Sequence, residues 1–314
     1  MVQEVWLHIG TPKSGTSSLQ KYLVTHREAL AQRGLAYLTP PGKTSSNDLA
    51  IAINRNRAEL ADMADGLNRE IAERPEQRAL ISSEMFYGVS PDMLLALIPE
   101  LARRPLNVLV YLRRQDRYIE SMYLQKSKNG RFQGSIADYI ARFEGSGSDY
   151  AAQLSPWQAA GGQVRLIPRV LERTALQGED VVSDAFALMD MPGPTGAADN
   201  DVNVSPGLHR VQLLQAAAAA DLANPRRLQR RLAALYPQEA GERTPILSRA
   251  ERVAFLGQHA AGNEALRAQY FPDRTALFDT ADLRGDGPED GIPPFTDAQL
   301  DEIRHLFAAL KSLL

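Results

Sequence analysis

Between Gly10 and Ser18 the chain sets one cation among small and hydroxyl-bearing residues: Gly10-Thr11-Pro12-Lys13-Ser14-Gly15-Thr16-Ser17-Ser18. Glycine, proline, serine and threonine turn a chain and leave amide N–H groups unpaired. Val5, Leu7 and Ile9 before this stretch form a short apolar run that suits a buried strand. Leu19, Tyr22, Leu23, His26 and Leu30 after it recur at helical spacing. A loop running from a strand into a helix N-terminus is an anion site, because its amides converge and the helix dipole adds about half a positive charge. Lys13 adds a full charge, and Ser14, Thr16, Ser17 and Ser18 add hydroxyl donors. The chemistry on offer is the binding of a phosphate-like group.

Gly10 and Gly15 have the separation of the nucleoside-triphosphate loop, Gly-x4-Gly-Lys-Ser/Thr, but Thr16 stands where that motif needs its lysine. The lysine lies inside the loop instead, so the clamp on a β/γ-phosphate is missing. A second anion-binding set follows the run Leu106-Asn107-Val108-Leu109-Val110-Tyr111-Leu112. Arg113 leaves that run, and Ser121 lies eight residues later on the expected next helix. A guanidinium fork with a nearby hydroxyl is what an additional 3′-phosphate on a nucleotide requires.

Pro12-Lys13-Ser14-Gly15-Thr16-Ser17 resembles the 5′-phosphosulfate loop of sulfotransferases, which bind 3′-phosphoadenosine-5′-phosphosulfate (PAPS). Arg113 with Ser121 resembles their 3′-phosphate motif. With both motifs in the family's order and each after a strand, the chain looks like a bacterial member of the PAPS-dependent sulfotransferase family, over roughly residues 4–190. The resemblance implies that Thr11, Pro12, Lys13, Ser14, Gly15, Thr16 and Ser17 hold the 5′ end of PAPS, and Arg113 and Ser121 its 3′-phosphate. It implies transfer of a sulfuryl group to a hydroxyl or amine, leaving 3′,5′-adenosine bisphosphate, without a metal. Lys13 would stabilise the leaving phosphate, and Glu84, at the end of the Ala79–Glu84 run, is the candidate base. Ser82-Ser83-Glu84 is closer to the glycan-modifying members, where a glutamate commonly takes that role, so a saccharide or other small metabolite is the favoured acceptor. The sequence departs from the family in two places. Gln115 takes a position where many members carry proline, and Asp116 comes three rather than four residues after Arg113, which leaves Arg113 and Arg114 open as holders of the 3′-phosphate. No plain adenine-covering segment is present, and Asn203-Val204-Ser205 is the nearest to one.

Other readings of the same residues are a small-molecule kinase or nucleoside triphosphatase with a degenerate phosphate loop, and a catalytically inert nucleotide-binding module. The arginines at 113 and 114 stand where a kinase would need an acidic Mg²⁺ ligand. Arg113 and Arg114 could also be ion-pair partners of Asp116 and Glu120, and Glu84 an N-cap or ion-pair partner. Phe86, Tyr87, Tyr118 and Tyr123 line an acceptor cleft or belong to the core, with core favoured for Tyr123. His8 reads as a satisfied core residue and His26 as packing or surface, and no histidine pair has metal-ligand spacing.

The elements that must position these groups follow from composition and pattern. The chain has 314 residues, 44% of them hydrophobic and 23% charged, with a net charge of −3. Nothing in that balance points to nucleic acid or an anionic membrane. There are no cysteines, which rules out disulfides and thiolate chemistry. No apolar run approaches the ~20 residues of a membrane span, and no basic-then-apolar leader opens the chain, so the expectation is a cytoplasmic protein. Strand-like runs at 5–9, 35–38, 79–84, 106–112 and 164–167 alternate with helical patterns, among them 49–73, read as a surface helix pair, and 91–102. The alternation predicts an α/β fold, three-layer α/β/α with a mainly parallel sheet, and the resemblance implies that it is P-loop-like. The polar segments 10–18, 82–84 and 113–121 would then meet at the carboxyl edge of that sheet, where ligands bind, with the polar loop 39–48 placed as a lid. The division expected is a PAPS-binding core over 1–200 and a helical part over 201–314 packed on it and covering the cofactor or acceptor site. In that helical part Arg226, Arg227, Arg230 and Arg231 read as a solvated basic face, and the final helix 297–313 should dock on the core through Leu300, Ile303, Phe307 and Leu310. The oligomeric state is not legible.

Overall fold

The run Leu106–Leu112 is buried at every position, as a strand enclosed by two layers must be. In the computed structural model, which describes residues 1–143, 147–193, 208–219, 245–284 and 294–313, it is β4 of a five-stranded parallel sheet. The others are β1 (Glu4–Gly10), β2 (Leu35–Leu38), β3 (Arg78–Ser82) and β5 (Val164–Val170), in the order β2-β3-β1-β4-β5. Every pairing is parallel, with His8 opposite both Ser82 and Leu109. Pro168 lies in edge strand β5, where its missing N–H costs no ladder bond to a further strand.

Alternation along the strands sorts side chains to two faces. Val5, Leu7, Ile9, Ile81, Val108 and Val110 pack in one cluster with α3 (Asn47–Arg55), α4 (Leu60–Glu73) and α9 (Tyr150–Ala159). Trp6, Leu80, Leu109 and Tyr111 pack in the other with α1 (Ser17–Thr25), α2 (Arg27–Gln32) and α10 (Val181–Leu188). This is the three-layer α/β architecture. A buried ion pair braces the second face. Arg169 donates to both oxygens of Asp184, at 2.9 and 2.5 Å, and Asp184 also accepts from the Gln177 N–H at 2.9 Å and the Tyr111 hydroxyl at 3.1 Å. Burial, together with the Asp184 charge, holds the Tyr111 phenol well above its usual range.

The helix pair in 49–73 is not a surface feature: Leu49, Ala50, Ala52, Leu67 and Ile71 are buried against the sheet. The helix expected over 91–102 is two, α5 (Pro91–Leu97) and α6 (Pro99–Ala102), because Pro99 cannot continue the first. Two further helices are α7 (Gln115–Lys128) and α8 (Ile136–Arg142). Helices α11 (Leu208–Ala219), α12 (Arg249–Gly257), α13 (Ala260–Tyr270) and α14 (Asp297–Leu313) complete the described α-helices. The final helix packs against α11, with Leu300, Ile303 and Phe307 half-buried. Asn203-Val204-Ser205 and the arginines at 226, 227, 230 and 231 lie outside the described residues.

The chain gathers into two compact units, each from three segments. The first takes Met1–Arg114, Asp149–Val202 and Ala261–Phe278; the second takes Gln115–Ser148, Asn203–Ala260 and Asp279–Leu314. The first carries the sheet. In the second, α7 anchors an aromatic cluster of Tyr123, Phe132, Tyr139 and Phe143.

Candidate functional site

Strand β1 connects toward β2 on one side and β4 toward β5 on the other, so their carboxyl ends flank a point where the winding reverses. Open α/β sheets bind ligands there. The loop Gly10–Ser17 and Arg113 both leave the sheet at that point. Gly10 has φ 118°, and a Cβ at this position would lie 2.8 Å from the Glu84 carbonyl oxygen, so only glycine lets the loop pass so close to the end of β3. Thr11 fastens the loop to β4: its N–H and its hydroxyl both donate to the Tyr111 carbonyl, at 3.1 and 3.0 Å. The Ser14 hydroxyl donates to the Thr11 carbonyl at 2.5 Å, and the Ser18 hydroxyl to the Gly15 carbonyl at 2.8 Å. These hydroxyls therefore shape the loop itself, where the sequence pattern alone offered them as ligand donors.

Thr16 differs. It is the N-cap residue of α1, yet its side chain makes no cap bond, and Oγ1 is buried without a partner. A buried hydroxyl at a helix N-terminus with nothing to bond is the kind of orphan that an anion satisfies. Ser17 and Gly15 beside it are exposed. With a half-buried Lys13 in the same turn, these groups fit a phosphate-like anion.

Lys13 itself has φ 66°, a left-handed conformation that costs a non-glycine residue of order 1–3 kcal/mol and persists where neighbours hold it. Both of its peptide groups are held. Arg113 Nη1 donates to the Lys13 carbonyl at 2.7 Å, and the Lys13 N–H donates to the Glu84 carboxylate. The structure thus brings Lys13, Glu84 and Arg113 together from the ends of β1, β3 and β4. Burial raises the Glu84 carboxyl above the usual carboxylate range, and the Lys13 ammonium and N–H pull it partly back. A carboxylate raised by burial and paired with one lysine can accept a proton from a neighbouring group.

Around Glu84 lies a polar shell that sequence reasoning did not assemble. Ser83 donates to Asn47 Oδ1 at 2.7 Å, and its hydroxyl accepts from the Met85 N–H at 3.1 Å, capping the short 3₁₀ turn Glu84–Gly88. Ser82 Oγ lies 2.8 Å from His8 Nδ1 and accepts from Gln20 at 3.4 Å. Burial pushes His8 down to about 4, so the ring is neutral at physiological pH. Its Nε2 is buried without a partner, so His8 is a core residue that is only half satisfied. Phe86 and Tyr87 are buried in the core beside the site rather than lining an open cleft. The loop 39–48 is seated on α4 by Pro41, whose ring occupies the space a side chain at Gly66 would need.

The remaining expected residues are buried, Arg114 among them. Ser121, Tyr118 and Tyr123 are buried on α7 in the second unit. There Asp116 accepts from Arg252 at 2.8 Å, and Glu120 accepts from the Ile246 and Leu247 N–H groups at 2.8 and 2.9 Å. Among the described residues no group of three or more His, Cys, Asp or Glu could hold a metal ion, and no helix is long and apolar enough to cross a membrane.

No family model matches the chain. An uncharacterized protein of Archaeoglobus fulgidus is 26% identical over 203 residues, which is 61% of this chain and 53% of that protein. The chain thus spans about half the length of the curated relative it matches. Among solved structures, a sulfotransferase from Alicyclobacillus acidocaldarius aligns over 76% of this chain and 98% of its own, at 18% identity and a TM-score of 0.42. A mouse sulfotransferase, SULT7A1 complexed with PAP, aligns over 62% of this chain and 61% of its own, at 14% identity and a TM-score of 0.36. These are likenesses of fold.

Proposed function

We propose that the chain transfers a sulfuryl group from PAPS to a hydroxyl or amine of a small-molecule or glycan acceptor. The observation that carries this reading is the meeting of Lys13 and Glu84 in the loop that carries the unpartnered Thr16 hydroxyl, with an arginine and not a carboxylate at the end of β4. PAPS, when bound, supplies the sulfuryl group. The Thr16 hydroxyl and the amides that open α1 would hold its 5′-phosphate. Lys13 would neutralise the charge that grows on the leaving phosphate oxygen, a task that needs a fixed cation in a partly buried site. Glu84 would take the acceptor proton, for which its raised affinity for protons suits it. Arg113 or Arg114 would hold the 3′-phosphate through a guanidinium fork. In-line displacement asks for the base and the cation on opposite sides of the transferred group, and two residues from neighbouring strand ends can be arranged so. The cell compartment proposed is the cytoplasm.

Calorimetric titration of 3′,5′-adenosine bisphosphate beside ATP-Mg²⁺ tests the reading. Tight binding of the bisphosphate by the wild type is expected, with loss of at least tenfold in Arg113→Ala, the size of a charge-assisted bond of ~1.5–3 kcal/mol. Lys13→Ala should keep bisphosphate binding and lose transfer of labelled sulfuryl group to a panel of sugars, phenols and amines. Preference for ATP-Mg²⁺ would point to the kinase reading, and tight bisphosphate binding without transfer to the inert module.

A further inference from the structure

Tyr150 belongs to no motif. It stands 37 residues beyond Arg113 in sequence, at the first position of α9, where Asp149 caps the helix by accepting from the Ala152 N–H at 3.0 Å. Its ring is 1% exposed. Phe278 meets it at 6.2 Å between ring centroids, and Tyr87, three residues after Glu84, meets it edge-on at 6.4 Å. Its hydroxyl donates to the Arg113 carbonyl. Arg113 in turn donates to the Lys13 carbonyl at 2.7 Å, and the Lys13 N–H donates to the Glu84 carboxylate. One buried phenol thus touches both the residue that grips the loop and the short turn that bears the candidate base.

We propose that Tyr150 is a positioning residue: by fixing the Arg113 backbone it sets the guanidinium on the Lys13 carbonyl, and so holds the left-handed Lys13 backbone against Glu84. The functional meaning of that arrangement rests on the sulfotransferase reading above, but the arrangement itself does not. A left-handed lysine does not keep that conformation unaided. The grip must come from a donor whose own backbone is immobile, and Arg113, just past the end of β4, has its carbonyl held by a rigid, enclosed ring. A phenol suits this task, since its hydroxyl has only two torsions behind it once the ring is packed.

The test reads the Glu84 carboxyl directly. In protein labelled with ¹³C-glutamate, the Glu84 resonance is identified by its loss in Glu84→Gln and titrated in wild type, Tyr150→Phe and Arg113→Lys. Tyr150→Phe keeps the ring and removes only the donor. Its Glu84 midpoint should rise by about half a unit or more, because a looser Lys13 stabilises the carboxylate less. Arg113→Lys, which keeps the charge and loses the planar fork, should move the midpoint the same way and serves alone if Tyr150→Phe does not fold. In an active enzyme the acidic limb of the kcat profile should move with the midpoint, which a loss of stability alone would not cause. A midpoint in Tyr150→Phe that coincides with wild type while Arg113→Lys shifts overturns the role of Tyr150; an unshifted Arg113→Lys overturns the tether. Failure of the wild type to bind 3′,5′-adenosine bisphosphate would sink the functional reading and leave the carboxyl titration to decide the tether on its own.

Discussion

Gly10→Ala puts the fold and the site to the same trial. Two costs combine at this residue. Its φ of 118° lies where a side chain is strained whatever the space, at of order 1–3 kcal/mol. The new methyl would also sit 2.8 Å from the Glu84 carbonyl oxygen and 3.3 Å from the Glu84 Cα, both backbone atoms with little freedom to withdraw. Overpacking against such neighbours costs typically ~1–3 kcal/mol. Relief of one strain partly relieves the other, so a total of about 2–4 kcal/mol is expected. For a unit of this size that lowers the melting temperature by roughly 4–16 °C, at ~2–4 °C per kcal/mol. Urea denaturation measures it as a lower midpoint, compared with wild type in the same buffer. Two units can unfold in separate transitions, so the transition that reports the first unit should be followed, through the fluorescence of Trp6 and Trp157, both in that unit. Because the methyl can be accommodated only by moving the loop or the Glu84 backbone, bisphosphate binding should weaken in the folded variant as well. A Gly10→Ala protein within ~0.5 kcal/mol of wild type and with unchanged binding would refute the close approach of loop and strand end.

Glu84→Gln should stabilise the protein near pH 8 while abolishing transfer. Burial raises the Glu84 affinity for its proton in the folded state, so between the unfolded and folded midpoints the folded chain binds more protons and stability falls as pH rises. The gain in melting temperature should shrink on acidification, and an equal gain at both ends of the range would contradict this. His8 works the other way. Depressed to about 4 by burial, it stays neutral while the unfolded histidine takes up a proton, so stability is lost as pH falls from about 6.5 toward 4, by about 3 kcal/mol at most. Urea midpoints of wild type and His8→Asn should converge over that window, and parallel curves would count against the buried neutral ring. Asp184→Ala removes the carboxylate that Arg169, the Tyr111 hydroxyl and the Gln177 N–H share, and leaves a mostly buried guanidinium with only the Ala175 carbonyl and the phenol with the Val181 carbonyl. It should cost about 3–5 kcal/mol by thermal or urea denaturation, with a loss under ~1 kcal/mol refuting the brace.

How far the sequence discloses this protein differs between strands and helices. The bounds of β4 are legible to the residue, because seven consecutive buried positions leave a near-continuous apolar run. In α3 and α4 the helical spacing is legible but the burial is not: alanines and single leucines satisfy a surface helix as well as one lying on a sheet. The split at Ile98–Pro99 follows from proline chemistry, yet the apolar pattern runs through it. The final helix shows its stripe plainly, but the stripe does not say that α11 is what it covers. Spatial grouping is hidden further, since residues 115–148 join a different unit from the strands on either side of them.

The site divides along the same line. Lys13, Glu84 and Arg113 can be expected to meet because each follows a strand, and parallel neighbours in register bring their carboxyl ends together: His8 opposite Ser82 places the chain just beyond β1 beside the chain just beyond β3. Type and position together carry that inference. Asn47, Gln20 and Tyr150 are placed by helix starts that no strand register controls, and the sequence holds no sign of them. Tyr150 is the clearest case. What it bonds is a main-chain carbonyl, a group that every residue carries, so no complementary side chain elsewhere in the chain marks the pair. Residues that hold a site through its backbone are for that reason invisible to motif reading, however much the geometry depends on them, and only a structure or a substitution such as Tyr150→Phe can find them.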